Sequence, residues 1–275
     1  MELVGKNVVV TGAAGGIGSA LVARFHAAGA QVVASDLAAN IAVAEAQAAR
    51  LNVVRSSSAL AVAADVATES GNRALVEAAD ATFGPIDLFF ANAGVAVGRG
   101  LETPEAEWQT AFNVNVHAHR WAAKYLLPGW LARGEGYFCS TASAAGLLSQ
   151  IGSAPYALTK HAAVAFAEWL SITHGDDGLK VSCLCPQGVN TAMLRGGDTF
   201  NANDSGANLG SSVVRAAGKV LEPDEVAEVV LAGVQAEAFL ILPHPEVLTY
   251  LQRKTGDYDR WLSGMRKLQA RMLAE

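Results

Sequence analysis

The stretch that most constrains the fold is NVVVTGAAGGIG, at residues 7–18. It opens with a β-branched run from Val8 to Thr11, which is typical of a parallel strand buried on both faces. Three glycines follow this run at once: Gly12, Gly16 and Gly18. Residues 19–28 then carry apolar side chains at helical spacing. A strand, a glycine turn and a helix N-terminus let the backbone approach a dinucleotide pyrophosphate, whose charge the helix dipole favours. Such turns also occur for packing alone, so neighbouring sequence must decide.

The deciding neighbour is an acidic residue at the end of the next strand. Asp36 closes QVVASD, about 20 residues beyond the glycine loop, where a carboxylate meets the adenosine ribose of a bound dinucleotide. A carboxylate accepts hydrogen bonds from free 2′- and 3′-hydroxyls and repels a 2′-phosphate. The loop before Gly16 contains no Arg or Lys. We therefore predict NAD, and not NADP, as the cofactor.

Strand-like and helix-like segments alternate along the rest of the chain. Further strands are predicted at 60–65, 86–91, 136–141, 179–185 and 238–242, and helices at 69–83, 104–131 and 223–235. This alternation predicts an α/β protein: a single-domain Rossmann fold with a doubly wound parallel sheet of about seven strands and helices on both faces. Residues 1–275 are interpreted as one domain, with ligands bound at the carboxyl ends of the strands.

Composition narrows the function classes. The formal charge of −6 and the lack of a basic run argue against nucleic acid as a partner. Three cysteines, Cys139, Cys183 and Cys185, form neither a redox nor a zinc motif, so we expect no metal and a reducing, cytoplasmic location. The first residues lead directly into a strand and no apolar run reaches spanning length, so we expect neither a signal peptide nor a membrane partner.

A hydroxyl, a phenol and an ammonium are spaced along residues 143–160. Tyr156 lies thirteen residues after Ser143, and Lys160 lies four residues further, on the same helix face as the phenol. Bringing a tyrosine pKa from about 10 to neutrality requires about 4 kcal/mol, which a neighbouring cation can supply in a partly desolvated cleft. Such a phenol exchanges a proton with a substrate oxygen that Ser143 would also bind. Taken alone, Tyr-x-x-x-Lys is better explained as an ordinary helix pair.

Taken together, these motifs resemble the short-chain dehydrogenase/reductase family over nearly the whole chain. They occur in the family's order: TGxxxGIG at 11–18 with Ile17, then Asp36, Asp65-Val66, Asn92-Ala93-Gly94, Asn115, Ser143, Tyr156 and Lys160. The resemblance implies that Tyr156 is the general acid/base and that Lys160 lowers its pKa and binds the nicotinamide ribose. It implies that Ser143 orients the substrate oxygen and that Asn115 holds a water that relays protons from Lys160. Asp65, Val66 and Asn92 would border adenine and its ribose. Alternatively, Asn115 is a polar kink in its helix and Asn92 a strand-end residue.

The family pattern Pro-Gly-x-Val-x-Thr is altered after the sixth strand. Residues 186–191 read Pro-Gln-Gly-Val-Asn-Thr, so Gln187 replaces the glycine while Pro186, Val189 and Thr191 remain to bind the nicotinamide. Gln187 would hydrogen-bond the carboxamide or the substrate, or narrow the pocket.

Two later segments interrupt the alternation. Residues 192–220, rich in Gly, Asn and Ser, are interpreted as a substrate lid, with a plain surface loop as the alternative. Its candidate apolar contacts are Met193, Leu194 and Phe200. Residues 243–275 form a tail with an apolar face at near-helical spacing, and His244, between two prolines, is interpreted as structural.

The resulting hypothesis is an NAD-dependent oxidoreductase that interconverts an uncharged, fairly hydrophobic secondary alcohol and a ketone. Apolar residues between Ser143 and Tyr156, such as Leu147, Leu148 and Ile151, favour that substrate class. The family resemblance implies a homo-oligomer, a tetramer or a dimer. Two rivals stay open: a non-catalytic NAD-binding regulator, and a lyase, epimerase or dehalogenase on the same fold.

Overall fold

The β-branched and apolar runs of the sequence form one parallel sheet. In the computed structural model, which describes residues 1–196 and 205–274, seven strands lie in the order β3-β2-β1-β4-β5-β6-β7. They are β1 (Asn7–Thr11), β2 (Gln31–Asp36), β3 (Ala59–Ala63), β4 (Leu88–Ala91), β5 (Gly136–Thr141), β6 (Leu179–Leu184) and β7 (Leu240–Ile241). The strand order reverses between β1 and β4, so the crevice at their carboxyl ends is the expected ligand site of such a sheet.

Helices cover both faces of this sheet, as the alternation predicted. They are α1 (Gly16–Ala27), α2 (Ile41–Val54), α3 (Glu69–Phe83), α4 (Glu105–Phe112), α5 (Ala118–Arg133), α6 (Ala145–Leu148), α7 (Ala154–His174), α8 (Ala192–Arg195), α9 (Ser205–Ala216), α10 (Pro223–Gln235), α11 (Glu246–Gly256) and α12 (Tyr258–Ala274).

Alternate strand residues point into two apolar cores. Val8 and Val10 pack in the core that α1, α2 and α10 cover, while Val9 packs in the core beneath α3, α5 and α7. Both faces are buried, which explains why the strands read as continuous apolar runs. The seven-stranded doubly wound sheet confirms the predicted fold class.

Three elements differ from the sequence prediction, and the tail predicted at helical spacing is formed by two helices. α2 was not predicted, because its alanines and valines give no clear polar face. The helix predicted over 104–131 is α4 and α5 joined by a π-helical turn, Asn113–His117. Within the segment interpreted as a lid, α8 and α9 are helical, and Phe200 lies outside the described residues. The tail from residue 243 is formed by α11 and α12.

Candidate active site

The glycine loop brings three backbone segments into close contact. Gly12 has φ +66°, and a Cβ there would lie 2.9 Å from the Cα of Ala93. A Cβ on Gly18 would meet the carbonyl oxygen of Gly12, and one on Gly16 would lie 2.9 Å from Cγ2 of Thr191. The loop therefore presents bare backbone at the N-terminus of α1, beside the segment that follows β6. Because Cβ atoms at Gly12, Gly16 and Gly18 would clash with neighbouring protein atoms, the loop stays tight and leaves its backbone at a helix N-terminus, which fits a dinucleotide pyrophosphate.

Asp36 lies against this loop. Its Oδ2 accepts a hydrogen bond from the backbone N–H of Ala14 at 2.8 Å, and its Oδ1 accepts from the N–H of Leu37 at 2.8 Å. Asn40 Nδ2 also donates to Oδ1, at 3.1 Å. These bonds fix the carboxylate at the end of β2, one strand from the crevice. Its contact with an adenosine ribose stays a prediction.

Asn92 joins three strand ends. Its Nδ2 donates to the carbonyl of Thr11 at 3.0 Å, and its Oδ1 accepts from the Thr141 hydroxyl at 3.1 Å. The amides of Asn92 and Ala93 both donate to Thr11 Oγ1 at 3.0 Å. Asn92 therefore stabilises the ends of these strands, as the alternative interpretation expected. Its contact with adenosine stays a prediction.

Asp65 and Val66 form the turn that leads from β3 into α3. Asp65 is exposed and its Oδ1 accepts from the amide of Ala67 at 3.0 Å. Val66 is buried, and its carbonyl accepts from Asn72 Nδ2 at 2.8 Å. Both residues lie near the carboxyl end of β3, two strands from the crevice, and an adenine contact stays a prediction.

Ser143, Tyr156 and Lys160 meet at the carboxyl ends of β5 and β6. Ser143 Oγ is buried, accepts from the amide of Ala145 at 3.1 Å, and lies 3.4 Å from the carbonyl oxygen of Pro186. Lys160 is 2% exposed and donates from Nζ to the carbonyl of Thr141 at 2.9 Å. Its Nζ lies 5.7 Å from the centre of the Tyr156 ring. The structure thus brings the three predicted catalytic side chains together.

The start of α7 is held by a residue that the sequence interpretation missed. Ser153 is the N-cap: its hydroxyl accepts from the amide of Tyr156 at 3.3 Å and donates to the carbonyl of Gly98 at 2.9 Å. The first turn of the helix that carries Tyr156 is thereby tied to the loop after β4. A serine two residues before a proline at a helix start is a recognisable capping signal.

Burial changes the protonation of this site in a direction that the spacing did not predict. Tyr156 is partly exposed, and the protein atoms packed around it desolvate the phenolate and so raise its pKa above the ordinary 10.0. A hydrogen bond from Ser143 acts in the opposite direction. Burial also lowers the pKa of Lys160 from 10.5 to about 8. The net direction for Tyr156 is opposite to the expected one, because desolvation of the phenolate prevails and Lys160 Nζ donates to the Thr141 carbonyl. The contribution of Lys160 to the pKa of Tyr156 stays a prediction.

Asn115 lies in the π-helical turn and is fully buried. Its Oδ1 accepts from the amide of Val95 at 2.9 Å, and its Nδ2 donates to the carbonyl of Val95 at 2.9 Å and to Thr159 Oγ1 at 3.1 Å. A Cβ on Gly94 would lie 3.3 Å from Lys160 Nζ and 3.4 Å from Asn115 Oδ1. The asparagine therefore braces the loop after β4 beside the lysine. Its proposed water relay stays a prediction.

The segment 186–191 lies between Ser143 and the glycine loop. The carbonyl of Pro186 accepts from the amide of Ala144 at 2.8 Å, and Val189 forms a parallel bridge with Leu221. Gln187 turns its Oε1 toward Gly218, where a Cβ would lie 3.7 Å away. Among the described residues, no hydrogen-bond partner lies within reach of that oxygen. Contact of Gln187 with a carboxamide or substrate stays a prediction.

Two apolar features bear on the substrate. Met193 is half-buried in α8, a turn that the hydroxyl of Thr191 caps. Leu148, by contrast, is buried and packs with Ala144 and with Val247 of α11. The inference of an apolar substrate from Leu148 is therefore weakened, because that side chain is used for packing.

The fold and the glycine loop are those of the Rossmann class of dinucleotide-binding proteins. Residues 6–200 match the family described as short chain dehydrogenase. The chain belongs to the short-chain dehydrogenase/reductase family.

Named relatives and a solved structure agree with that assignment. Over 200 residues, 71% of this chain and 72% of the relative, the chain is 39% identical to a 1-deoxy-11-beta-hydroxypentalenate dehydrogenase of Streptomyces exfoliatus. Over 235 residues, 83% of this chain and 87% of the relative, it is 34% identical to a meso-2,3-butanediol dehydrogenase of Serratia marcescens. A short chain dehydrogenase/reductase of Burkholderia phymatum, solved in complex with NAD, superposes with a TM-score of 0.83 at 28% identity. That match covers 94% of this chain and 96% of the neighbour.

Two kinds of feature are absent from residues 1–196 and 205–274. No helix there has both the length and the hydropathy needed to cross a membrane. In the same ranges, no three His, Cys, Asp or Glu side chains are grouped so that they could hold a metal ion.

Proposed function

We propose that the protein is an NAD-dependent oxidoreductase that interconverts a secondary alcohol and a ketone, with Tyr156 as the general acid/base. The observation that carries this proposal is the convergence of Ser143, Tyr156 and Lys160 beside the glycine loop at one edge of the sheet. The relatives above, both named as dehydrogenases of hydroxy compounds, support the reaction class.

Each side chain has a distinct task in the oxidation. Ser143 would donate a hydrogen bond to the substrate oxygen, which Tyr156 as phenolate deprotonates. The hydride leaves the carbinol carbon as the carbonyl forms, and a bound nicotinamide supplies the hydride acceptor. Lys160 would hold the ribose hydroxyls and favour the phenolate by its charge. In the reverse direction the neutral phenol returns the proton, a task that its raised pKa already suits.

The mechanism is tested with Tyr156→Phe. We expect kcat for a secondary alcohol to fall by about 10²- to 10⁴-fold while cofactor affinity changes little, because only the proton transfer is lost. Tyr137→Phe is the matched control: Tyr137 is fully buried, and its hydroxyl bonds Ser182 at 2.8 Å on β6. Equal turnover in the wild type and Tyr156→Phe would refute the mechanism. Cofactor binding without turnover of any alcohol would instead favour the regulator.

The choice of NAD is supported by Asp36 and by the lack of Arg or Lys in residues 12–18 and 36–40. A carboxylate at this position repels a 2′-phosphate. We expect the wild type to prefer NAD over NADP in kcat/KM by about 10-fold or more, since a close like-charge contact costs about 1.4 kcal/mol or more. Asp36→Ser should lower the ratio of kcat/KM for NAD to kcat/KM for NADP, whereas Asp259→Ser on α12 should leave that ratio unchanged. A wild type that prefers NADP would overturn this choice.

For the substrate, we propose an uncharged and fairly hydrophobic secondary alcohol. The half-buried Met193 beside Thr191 supports the apolar character, as does a relative named for (+)-borneol, and a relative named for meso-2,3-butanediol supports the lack of charge. Turnover is compared on a panel of neutral secondary alcohols and small charged hydroxy acids. Activity confined to the charged acids would refute this substrate class.

We propose that the protein assembles as a homo-oligomer, either a dimer or a tetramer. On α7, the outward side chains Leu158, Trp169 and Ile172 are 52%, 53% and 85% exposed and share one helix face. That face supports self-association. Sedimentation of wild type and Ile172→Glu tests it: a wild-type monomer would contradict the proposal.

We also propose that the segment 192–220 is a substrate lid. Limited proteolysis with and without cofactor plus substrate tests this. Cleavage within 192–220 that cofactor plus substrate does not slow would contradict the lid.

A further inference from the structure

A histidine outside the predicted catalytic set is buried behind the nicotinamide segment. His244 follows β7 and is 2% exposed. It stands between Pro243 and Pro245, and the residue before a proline has few backbone conformations open to it. Its carbonyl accepts from the amide of Val247 in the first turn of α11, a helix whose Val247 is fully buried. The imidazole is therefore carried on a rigid support.

The imidazole contacts three backbone groups. Its Nδ1 accepts from the amide of Gln187 at 3.1 Å. Its Nε2 lies 3.1 Å from the carbonyl oxygens of Gly188 and Lys219. An amide can only donate and a carbonyl can only accept, so these partners require the neutral tautomer with its proton on Nε2. Every polar atom of the ring is satisfied in that tautomer.

Two of the backbone groups that the imidazole binds, the amide of Gln187 and the carbonyl of Gly188, belong to consecutive residues of the segment 186–191. At the front of the segment, Pro186 is bonded to Ala144, next to Ser143. At its end, Thr191 touches the glycine loop where a Cβ on Gly16 would lie. The carbonyl of Gly188 also accepts from the amide of Leu221 at 2.9 Å. A shift of Gln187 and Gly188 would therefore move Val189 and Thr191 relative to Ser143.

We propose that His244 is a positioning residue that holds the segment 186–191 for the nicotinamide end of the cofactor. The inference rests on the proposed function in that it takes this segment as the nicotinamide contact. It assigns the histidine no part in proton transfer. It explains how Gln187 is tolerated in place of the glycine: the backbone is fixed by His244, and the side chain turns toward Gly218 and away from that bond.

The test compares NADH with ADP-ribose, which lacks the nicotinamide. In His244→Ala we expect NADH affinity to fall by about 10-fold and kcat by about 10- to 100-fold, since misplacing a contact group by about 1 Å has effects of this size. ADP-ribose affinity should stay within about twofold of the wild type, because Asp36 and the glycine loop are untouched.

Two conservative variants separate positioning from general support. In His244→Asn the amide oxygen can still accept from Gln187, so NADH affinity should recover to within about threefold of the wild type. His244→Gln can reach the carbonyls but offers no acceptor at the Nδ1 position, so it should resemble His244→Ala. Amide hydrogen exchange of the Gln187 peptide should accelerate in the Ala and Gln variants and not in Asn.

The matched control is His26→Ala. His26 is also buried and bonds the Ser58 hydroxyl at 2.7 Å, at the opposite end of the strands. We expect it to lower the melting temperature and leave the NADH to ADP-ribose affinity ratio unchanged.

Unchanged NADH affinity in His244→Ala would overturn the inference, as would parallel loss of NADH and ADP-ribose affinity in all three variants. A wild type that binds NADH but oxidises no alcohol would refute the proposed function alone, because the affinity ratio and the Gln187 exchange need no turnover.

Discussion

Lys160 places an ammonium in the interior of the protein. Replacing this lysine with methionine tests how much the buried charge lowers the free energy of unfolding. Its pKa falls from 10.5 to about 8, chiefly through burial. The unfolded chain therefore holds this proton up to a higher pH than the folded protein does. Between pH 8 and pH 10.5 the unfolded state binds more protons, so the stability of the wild type should rise with pH in that window.

The size of the effect follows from the same values. At about 1.4 kcal/mol per pH unit, the lowering from 10.5 to about 8 corresponds to about 3 kcal/mol at pH 7. Lys160→Met removes this penalty but also the bond to the Thr141 carbonyl, worth about 1 kcal/mol. We expect the variant to be more stable than the wild type by about 2 kcal/mol at pH 7. By pH 10 the wild type has shed the buried proton, so the gain should vanish within about 1 kcal/mol.

Urea unfolding of both proteins at pH 7 and pH 10 measures this gain, provided that the slope m is unchanged. Lys267→Met, at an exposed position on α12, is the control and should show no gain at either pH. A Lys160→Met variant no more stable than the wild type at pH 7, or equally stabilised at both pH values, would refute the reasoning. Lys160→Met should also lose most activity, because the proposed reaction uses the Lys160 ammonium.

Two further predictions concern the same site. Gly146→Ala should lower the free energy of unfolding by about 1–3 kcal/mol and reduce activity, because its Cβ would meet the Lys160 carbonyl oxygen and lie 2.8 Å from the carbonyl carbon. Gly129→Ala on α5, with open space around the new Cβ, should be neutral or stabilising in the same urea titration; equal loss in both would contradict the contact. Ultraviolet difference absorbance between wild type and Tyr156→Phe should place the midpoint of Tyr156 ionisation above pH 10 without cofactor, since burial raises its pKa. Saturating NAD should lower that pKa by adding positive charge, and ionisation of Tyr156 near neutrality without cofactor would show that burial does not dominate.

Local pattern was enough to predict most of the fold. The β-branched run at Val8–Thr11 and its counterparts form strands because a parallel sheet buries both faces, so no polar alternation competes with the signal. The glycines at 12, 16 and 18 were predictable because backbone contact excludes side chains there. The spacing of Tyr156 and Lys160 also placed them on one face of α7, since helix periodicity is a local property. Ser143 precedes that helix, so its place beside them followed from the order of the family's motifs and not from periodicity.

Other features depended on residues distant in sequence. In the π-helical turn, Asn115 is hydrogen-bonded to Val95 and Thr159, and the sequence of residues 113–117 does not predict those partners. The helix at 41–54 lacked a polar face to reveal it, and Gln187 owes its orientation to surroundings that include Gly218.

What the sequence alone determined is the class of fold, the glycine loop and the candidate residues that the structure brings together. Tertiary structure decided the protonation of that site: spacing put a cation near Tyr156, yet burial raises the pKa of the phenol and lowers that of Lys160. It also decided that His244, marked in the sequence only by its two prolines, supports the segment 186–191. The physical reason is that propensity and spacing act over a few residues, whereas desolvation and hydrogen-bond partners are set by everything packed around a group.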